Sequence, residues 1–210
     1  MPAFNSKVSI CNYALNDIGH ASTIQSLSEE STAAVRCNLI YDRARDAVLT
    51  AHDWAFARKH EALTLLSYSS KPEYWDYVYQ RPATALKMIR LYDATWQRQN
   101  LEETRTIDYE NALITIASQN YSVIYTDLQS ARAVFTANLD EPDRYPQPFV
   151  EALAAKISAM IAYPMTGDQT LKREMEQLYL LRLAAAREFD NSQGEDTTDW
   201  FNPDSMDARL

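Results

Sequence analysis

The apolar positions of the first fifty residues repeat at helical spacing. Val8, Cys11, Leu15 and Ile18 fall three and four residues apart, which predicts a helix over Lys7 to Ile18. Asn5 or Ser6 is its expected cap, and Gly19 the left-handed residue just past its end. Ala34, Cys37, Tyr41, Ala44 and Val48 carry the same pattern in a second helix. It is expected to open at Ser28, with Glu29 and Glu30 facing the positive end of its dipole. Arg36, Asp42, Arg43, Arg45 and Asp46 on its other faces read as a solvated charge mixture. The short link, residues 19–27, favours antiparallel packing of the two helices. A third helix is expected from Asp53 to about Leu66.

The period then changes. Tyr68 to Pro82 holds Tyr74, Trp75, Tyr77 and Tyr79 with prolines at 72 and 82, a composition that favours extended chain over helix. From about Leu86 to Phe135 the chain reads as strands, among them Leu86–Tyr92, Asn111–Ala117 and Tyr121–Thr126, the last two joined by a turn at Ser118, Gln119 and Asn120 into a hairpin. Past a Pro-rich linker from Glu141 to Pro148, helical spacing returns in Phe149, Leu153, Ile157, Met160 and Ile161. Pro164 should stop that helix, Gly167-Asp168 should turn the chain, and Gln169 to Phe189 should form the last helix. The expected fold is therefore α+β and mainly α. Helical hairpins at the two ends share one bundle, interrupted by a small antiparallel sheet and followed by an extended tail. The expected segments are 1–66, 67–140, 141–190 and 191–210.

Composition narrows what such a fold can do. Apolar residues make up 46% of the 210, within the globular range, so wholesale disorder is ruled against. With 3 glycines, far apart, a phosphate-cradling loop is nearly excluded. The net charge of −9 opposes the counterion-releasing grip that nucleic-acid binders use, although an acidic surface suits a wall along which DNA slides. No stretch reaches the roughly 18 apolar residues of a membrane span, and the first residues lack a signal-peptide pattern, so a soluble, membrane-free protein is expected.

The candidate chemistry is thin. Cys11 and Cys37 sit on apolar helix faces and read as small core residues, although a disulfide between the two helices is geometrically open. His52 and His60 are eight residues apart, not the four that places two imidazoles on one helix face, and His20 stands alone. The acidic pairs Glu29-Glu30, Glu102-Glu103 and Asp140-Glu141 have no spacing that implies the roughly 5–9.5 Å pairing a glycosidase needs. No catalytic, metal-binding or cofactor-binding residue is assigned. The aromatic excess points elsewhere. Tyr (13) and Trp (4) outweigh Phe (6), and rings with polar tips are enriched at protein contacts. Tyr74, Trp75, Tyr77 and Tyr79 are candidate interface residues, as are Trp200 and Phe201 in the tail.

The order of short motifs resembles one family. ICNYAL at Ile10–Leu15 is followed by Asp17-Ile18-Gly19 and Ser26-Leu27. Then come Cys37, Tyr41, Arg45-Asp46 and Leu49, and a corner of His52, Trp54 and Phe56-Ala57. Tyr79-Gln80 with Pro82, the strand Leu86–Leu91, Pro148-Phe149-Val150-Glu151-Ala152-Leu153 and Tyr163–Gly167 continue the series. Together these resemble the tail tubular protein A, or head-to-tail adaptor, family of short-tailed bacteriophages, over residues 8–190. Trp96–Ile107 and the last twenty residues match nothing in that pattern. The resemblance implies a structural, non-enzymatic subunit, made in the host bacterial cytoplasm and incorporated into the neck of the virion. Twelve copies would form a ring that binds the portal above and the tail nozzle (tail tubular protein B type) below, with DNA passing through the lumen without sequence-specific binding. The alternative is a virion-associated tail protein that binds or hydrolyses glycans through the aromatic segment.

Overall fold

A computed structural model describes residues 5–93 and 107–193. Trp200 and Phe201 lie outside the described residues, as does nearly all of Trp96–Ile107. Four helices and seven strands are found among the described residues. The chain divides into two compact units, residues 1–48 with 141–210 and residues 49–140.

The first unit is helical. Helix α1 spans Lys7–Asp17, and Ser6 and Ser9 cap it reciprocally, each side chain bonding the other's backbone N–H at 3.0 and 2.8 Å. Gly19 takes φ +73° just beyond it. Helix α2 spans Thr32–Thr50, four residues later than the start expected at Ser28. Ser31 is the residue whose hydroxyl accepts from the Ala34 amide, at 3.2 Å. The Glu29 carboxylate instead accepts the amides of Gln25 and Ser26 and the Ser31 hydroxyl, holding residues 25–31 in a turn. Asn12 also fixes this connection: its amide oxygen accepts from the Ile24 N–H and its amide nitrogen donates to the Ile24 carbonyl, at 2.9 and 3.0 Å.

Helix α3 spans Gln147–Thr166 and α4 spans Gln169–Ser192. Pro164 does not stop α3, because near the end of the helix a proline forfeits only one backbone bond. Gly167 at φ +72° ends it, and Asp168 caps α4 by accepting from the Thr170 and Leu171 amides. Helix α3 is the centre of the unit, packing on both α1 and α4. Phe149, Leu153, Ile157 and Ile161 are fully buried along it, with Ala152, Ala155 and Ala162 letting neighbours approach closely.

Among the described residues of the second unit, the regular structure is β apart from the end of α2 and a 3-10 turn at Ala55–Ala57. Strands β1 (Arg58–Ala62), β7 (Ala131–Ala137) and β4 (Ala85–Asp93) form one antiparallel sheet in the order β1-β7-β4. Strands β2 (Thr64–Leu65), β3 (Tyr77–Gln80), β6 (Gln119–Thr126) and β5 (Glu110–Ile116) form a second, in the order β2-β3-β6-β5. Ile124 of β6 packs with Ala85, Leu91, Ala133 and Phe135 of the other sheet, so the two layers share a core.

This overturns the expected mainly helical bundle with one small sheet. The fold is mixed: 45% helix and 24% strand, the strand lying in two antiparallel sheets. The third helix expected from Asp53 to Leu66 is instead β1 and β2. Arg58, Lys59 and Glu61 on β1 imitate the solvated face of a helix, but they mark a charged edge strand paired along its length with β7. Strand β7 itself, sequence ARAVFTA, is the central strand of its sheet and largely buried. It falls at the end of the stretch expected as strands, but its burial on both faces leaves no alternation that would give it bounds of its own. The β5–β6 hairpin exists, but its turn is Ala117-Ser118 rather than residues 118–120, with Ile116 opposite Gln119. Both turn residues have positive φ, 48° and 66°, as a two-residue type I′ connection requires.

Candidate functional site

The aromatic segment singled out by sequence lies against the second face of the four-stranded sheet. Alternation along β6 sends Ile124 into the shared core and Val123 and Tyr125 to the opposite side. There they join Val78 and Ile114 in a separate apolar cluster. Leu66, Tyr68 and Trp75, from the chain before β3, pack over that cluster. The segment therefore first serves as cover for a sheet that is apolar on both faces.

Its rings have different fates. Tyr79 is buried, with its hydroxyl shared between the Leu128 and Gln129 carbonyls at 2.8 and 2.7 Å. Burial raises its pKa, so it stays a neutral donor. Tyr77 is half-buried beside it, ring centroids 6.4 Å apart. Trp75 is half-buried, and its indole N–H donates to the Glu110 carboxylate at 3.1 Å. Tyr74 stands 68% exposed with its hydroxyl 3.3 Å from the same carboxylate oxygen. The Glu110 charge, then burial and this hydrogen bond, raise the Tyr74 pKa. Lys71 donates to the Trp75 carbonyl, and Asp127 accepts the Asp76 amide at 3.1 Å. Tyr74, Trp75 and Glu110 thus form a braced ledge with one ring turned outward. Glu110 was not among the residues picked from sequence, and nothing in its neighbours there marks it.

The remaining candidates have structural surroundings. Cys11 and Cys37 are free thiols, fully buried and in mutual contact; the bond to Cys37, then burial, raises the Cys11 pKa, while the same bond lowers that of Cys37. A buried thiol held protonated is a packing group, not a nucleophile. His52 meets the buried Trp54 edge-on at 4.9 Å, and Asp53 is paired with Lys87 at 2.7 Å. His60 lies on the charged edge strand, its pKa lowered by burial and by Arg90, Arg58 and Arg132. Among the described residues no group of three or more His, Cys, Asp or Glu is placed to hold a metal ion. No described helix is long and apolar enough to cross a membrane.

Two depressions test the idea of a carbohydrate cleft. One of about 530 Å³ on the β unit is lined by Arg81, Met88, Tyr109 and Leu113 among others, with no carboxylate among the described residues of its wall. Another of about 410 Å³ on the helical unit holds Asp17, Glu151 and Arg182. There the Asp17 carboxylate is taken up by Arg182 at 2.7 and 3.4 Å and by the Ser158 hydroxyl at 3.4 Å. Ser158 is buried on α3, and its one hydroxyl proton also has the Ala154 carbonyl at 2.8 Å and the Ala14 carbonyl at 3.1 Å within reach, both nearer than Asp17. Asp17 thus ties the end of α1 to α3 and α4, a structural knot that sequence did not reveal because its partners are over 140 positions away.

No protein-family model matches the chain, and no curated protein matches it either.

Proposed function

We propose that this protein is the head-to-tail adaptor of a short-tailed bacteriophage. In this reading twelve copies form a ring in the virion neck, contact the portal on one side and the nozzle on the other, and surround the path of the DNA. The observation that carries the reading is the ordered series of family-like motifs over residues 8–190. Several of those residues also occupy structural joints, which supports it: Asn12 pins the α1–α2 connection, Asp17 ties three helices, Gly19 ends α1, and Trp54 is buried at 1% exposure. A net charge of −9 per copy suits a lumen that repels phosphate and lets DNA slide. Trp200 and Phe201 are assigned as portal anchors, and the Tyr74 ledge as a contact between components.

Mixing the purified protein with portal particles of its phage and imaging the product tests this. A ring of added density beneath the portal is expected, with weaker docking by a chain ending at Asn191. Folded protein that leaves portals bare would sink the proposal.

One observation favours a second reading, a glycan-binding or glycan-hydrolysing tail protein. An outward aromatic ring beside a carboxylate, as in Tyr74 with Glu110, is an arrangement on which a sugar ring can stack and hydrogen-bond. Release of reducing sugar from host capsular glycan, lost on Glu110→Gln, would establish it.

A further inference from the structure

The three-stranded sheet has two unlike faces. On its central strand β7, Ala133 and Phe135 point into the core shared with the other sheet, so Arg132, Val134 and Thr136 point away from it. Register fixes what joins them on that outer face. Ala62, His60 and Arg58 of β1 lie opposite these three residues on one side, and Tyr92, Arg90 and Lys87 of β4 on the other. Arg58, Arg90 and Arg132 are thereby gathered from three strands, their Cα atoms within about 15 Å by strand spacing and rise. Besides burial, the charges that depress the His60 pKa are Arg90, Arg58 and Arg132, so all three act on one imidazole. The Tyr92 hydroxyl lies 3.5 Å from His60 Nδ1, the two rings edge-on.

The neighbouring charges are already matched, and these three are not. Lys87 is paired with Asp53 at 2.7 Å. Lys59 and Glu61 pair with each other at 2.9 Å on the opposite face. Arg58 donates to a backbone carbonyl, that of Asp53, and Arg90 and Arg132 meet no carboxylate among the described residues. The Arg132 Nε is buried without a hydrogen-bond partner. Arg58, His60 and Arg90 are exposed. Three uncompensated positive charges on one face are a local exception in a chain of net charge −9.

A guanidinium fork fits phosphate and carboxylate alike, so the rest of the face decides the partner. Protein interfaces centre on an apolar patch. Here the aliphatic Val134 is 1% exposed, and the large exposed apolar residues of the β unit, Leu65, Tyr74 and Leu113, belong to the other sheet. A polar, strongly positive face is the composition of a DNA contact. We infer that the outer face of the three-stranded sheet binds the phosphate backbone of double-stranded DNA through Arg58, Arg90 and Arg132, without reading its sequence. This deepens the adaptor reading, and it rests on that reading for the presence of DNA. The acidic remainder of the chain repels the duplex, and this face holds it.

Fluorescence anisotropy of a labelled mixed-sequence duplex, titrated at low salt with the full chain, tests it. Binding is expected to fall with salt at a logarithmic slope of about −2 to −3, as three phosphate contacts require. Arg58→Glu with Arg90→Glu should weaken it at least tenfold. Arg36→Glu with Arg43→Glu, the same charge change on exposed positions of α2, should alter it less than threefold. No binding, or an equal loss in both variants, would overturn the inference. So would a polyglutamate peptide that competes as well as unlabelled duplex, because the partner would then be an acidic protein. Circular dichroism separates misfolding from lost binding; should the reversed pair misfold, Arg58→Gln with Arg90→Gln is the substitute and must weaken binding at least threefold. Duplex binding that needs Arg58 and Arg90, in a protein that leaves portals bare, would remove the adaptor reading and keep this one. Portal rings from a protein that ignores the duplex would do the reverse.

Discussion

The two units bury their apolar surface in opposite ways. In the β unit the four-stranded sheet is apolar on both faces; one is closed by the other sheet through Ile124 and Phe135, the other by Leu66, Tyr68 and Trp75. In the helical unit, α3 is the buried centre, while α2 and α4 keep Leu39 and Leu181 on their outer faces. Both leave apolar side chains in solvent, Leu65, Tyr74 and Leu113 on the β unit and Val35, Leu39, Leu180 and Leu181 on the helical one. The difference lies inside: a core layered between sheets in one, a core built around a single central helix in the other.

Emptying the centre of each unit in turn should have the largest effect. Phe135→Ala empties the layer between the two sheets and should cost about 3–5 kcal/mol, and Leu153→Ala in α3 about 2–5 kcal/mol. Followed by far-ultraviolet circular dichroism and by the fluorescence of Trp54 and Trp75, Phe135→Ala should lower the fluorescence transition more than the helical one, and Leu153→Ala the reverse. Coincident shifts in both variants would mean that the units melt as one body.

A smaller effect is expected at the three-helix knot. Asp17→Asn weakens the bonds to Arg182 and Ser158, and because the pair is only partly buried the cost should be about 1–2 kcal/mol. A double-mutant cycle with Arg182→Ala measures the coupling by denaturant midpoints; additive losses would show that the pair contributes nothing beyond its separate side chains.

The smallest effect has the opposite sign. Ala117-Ser118 occupies a turn that asks for positive φ at both positions, where Asn-Gly is far better suited. Ala117→Asn with Ser118→Gly should raise stability by roughly 1 kcal/mol. An unchanged or lowered melting temperature would show that the turn geometry is dictated by the strands rather than opposed by its residues.

How much of this was legible in sequence follows from the same contrast. Helices α1 and α4 were placed to within a few residues because their buried positions keep one period and their ends carry Ser6, Gly19, Gly167 and Asp168. Helix α2 was placed less well because Glu29 acts in a turn rather than in the helix. In the β unit β4, β5 and β6 were placed to within two residues, whereas β1 and β2 read as helix. Strand β1 is nearly all charged or exposed and β7 nearly all buried, so neither shows clean alternation. Of the aromatic segment, the cluster was visible but the roles were not: Tyr79 turned inward, Trp75 became cover, and only Tyr74 stands out. Glu110, which braces the ledge, lies 35 residues from Trp75 and leaves no local trace.

The charged edge of the three-stranded sheet has a consequence for any state in which many copies crowd together. An open strand edge is a template that accepts any other, and its product is a fibre with no preferred length. Arg58, Lys59 and Glu61 along β1 place fixed, hydrated charges where an incoming strand would have to lie. Copies of this chain are thereby steered away from joining sheet to sheet along β1.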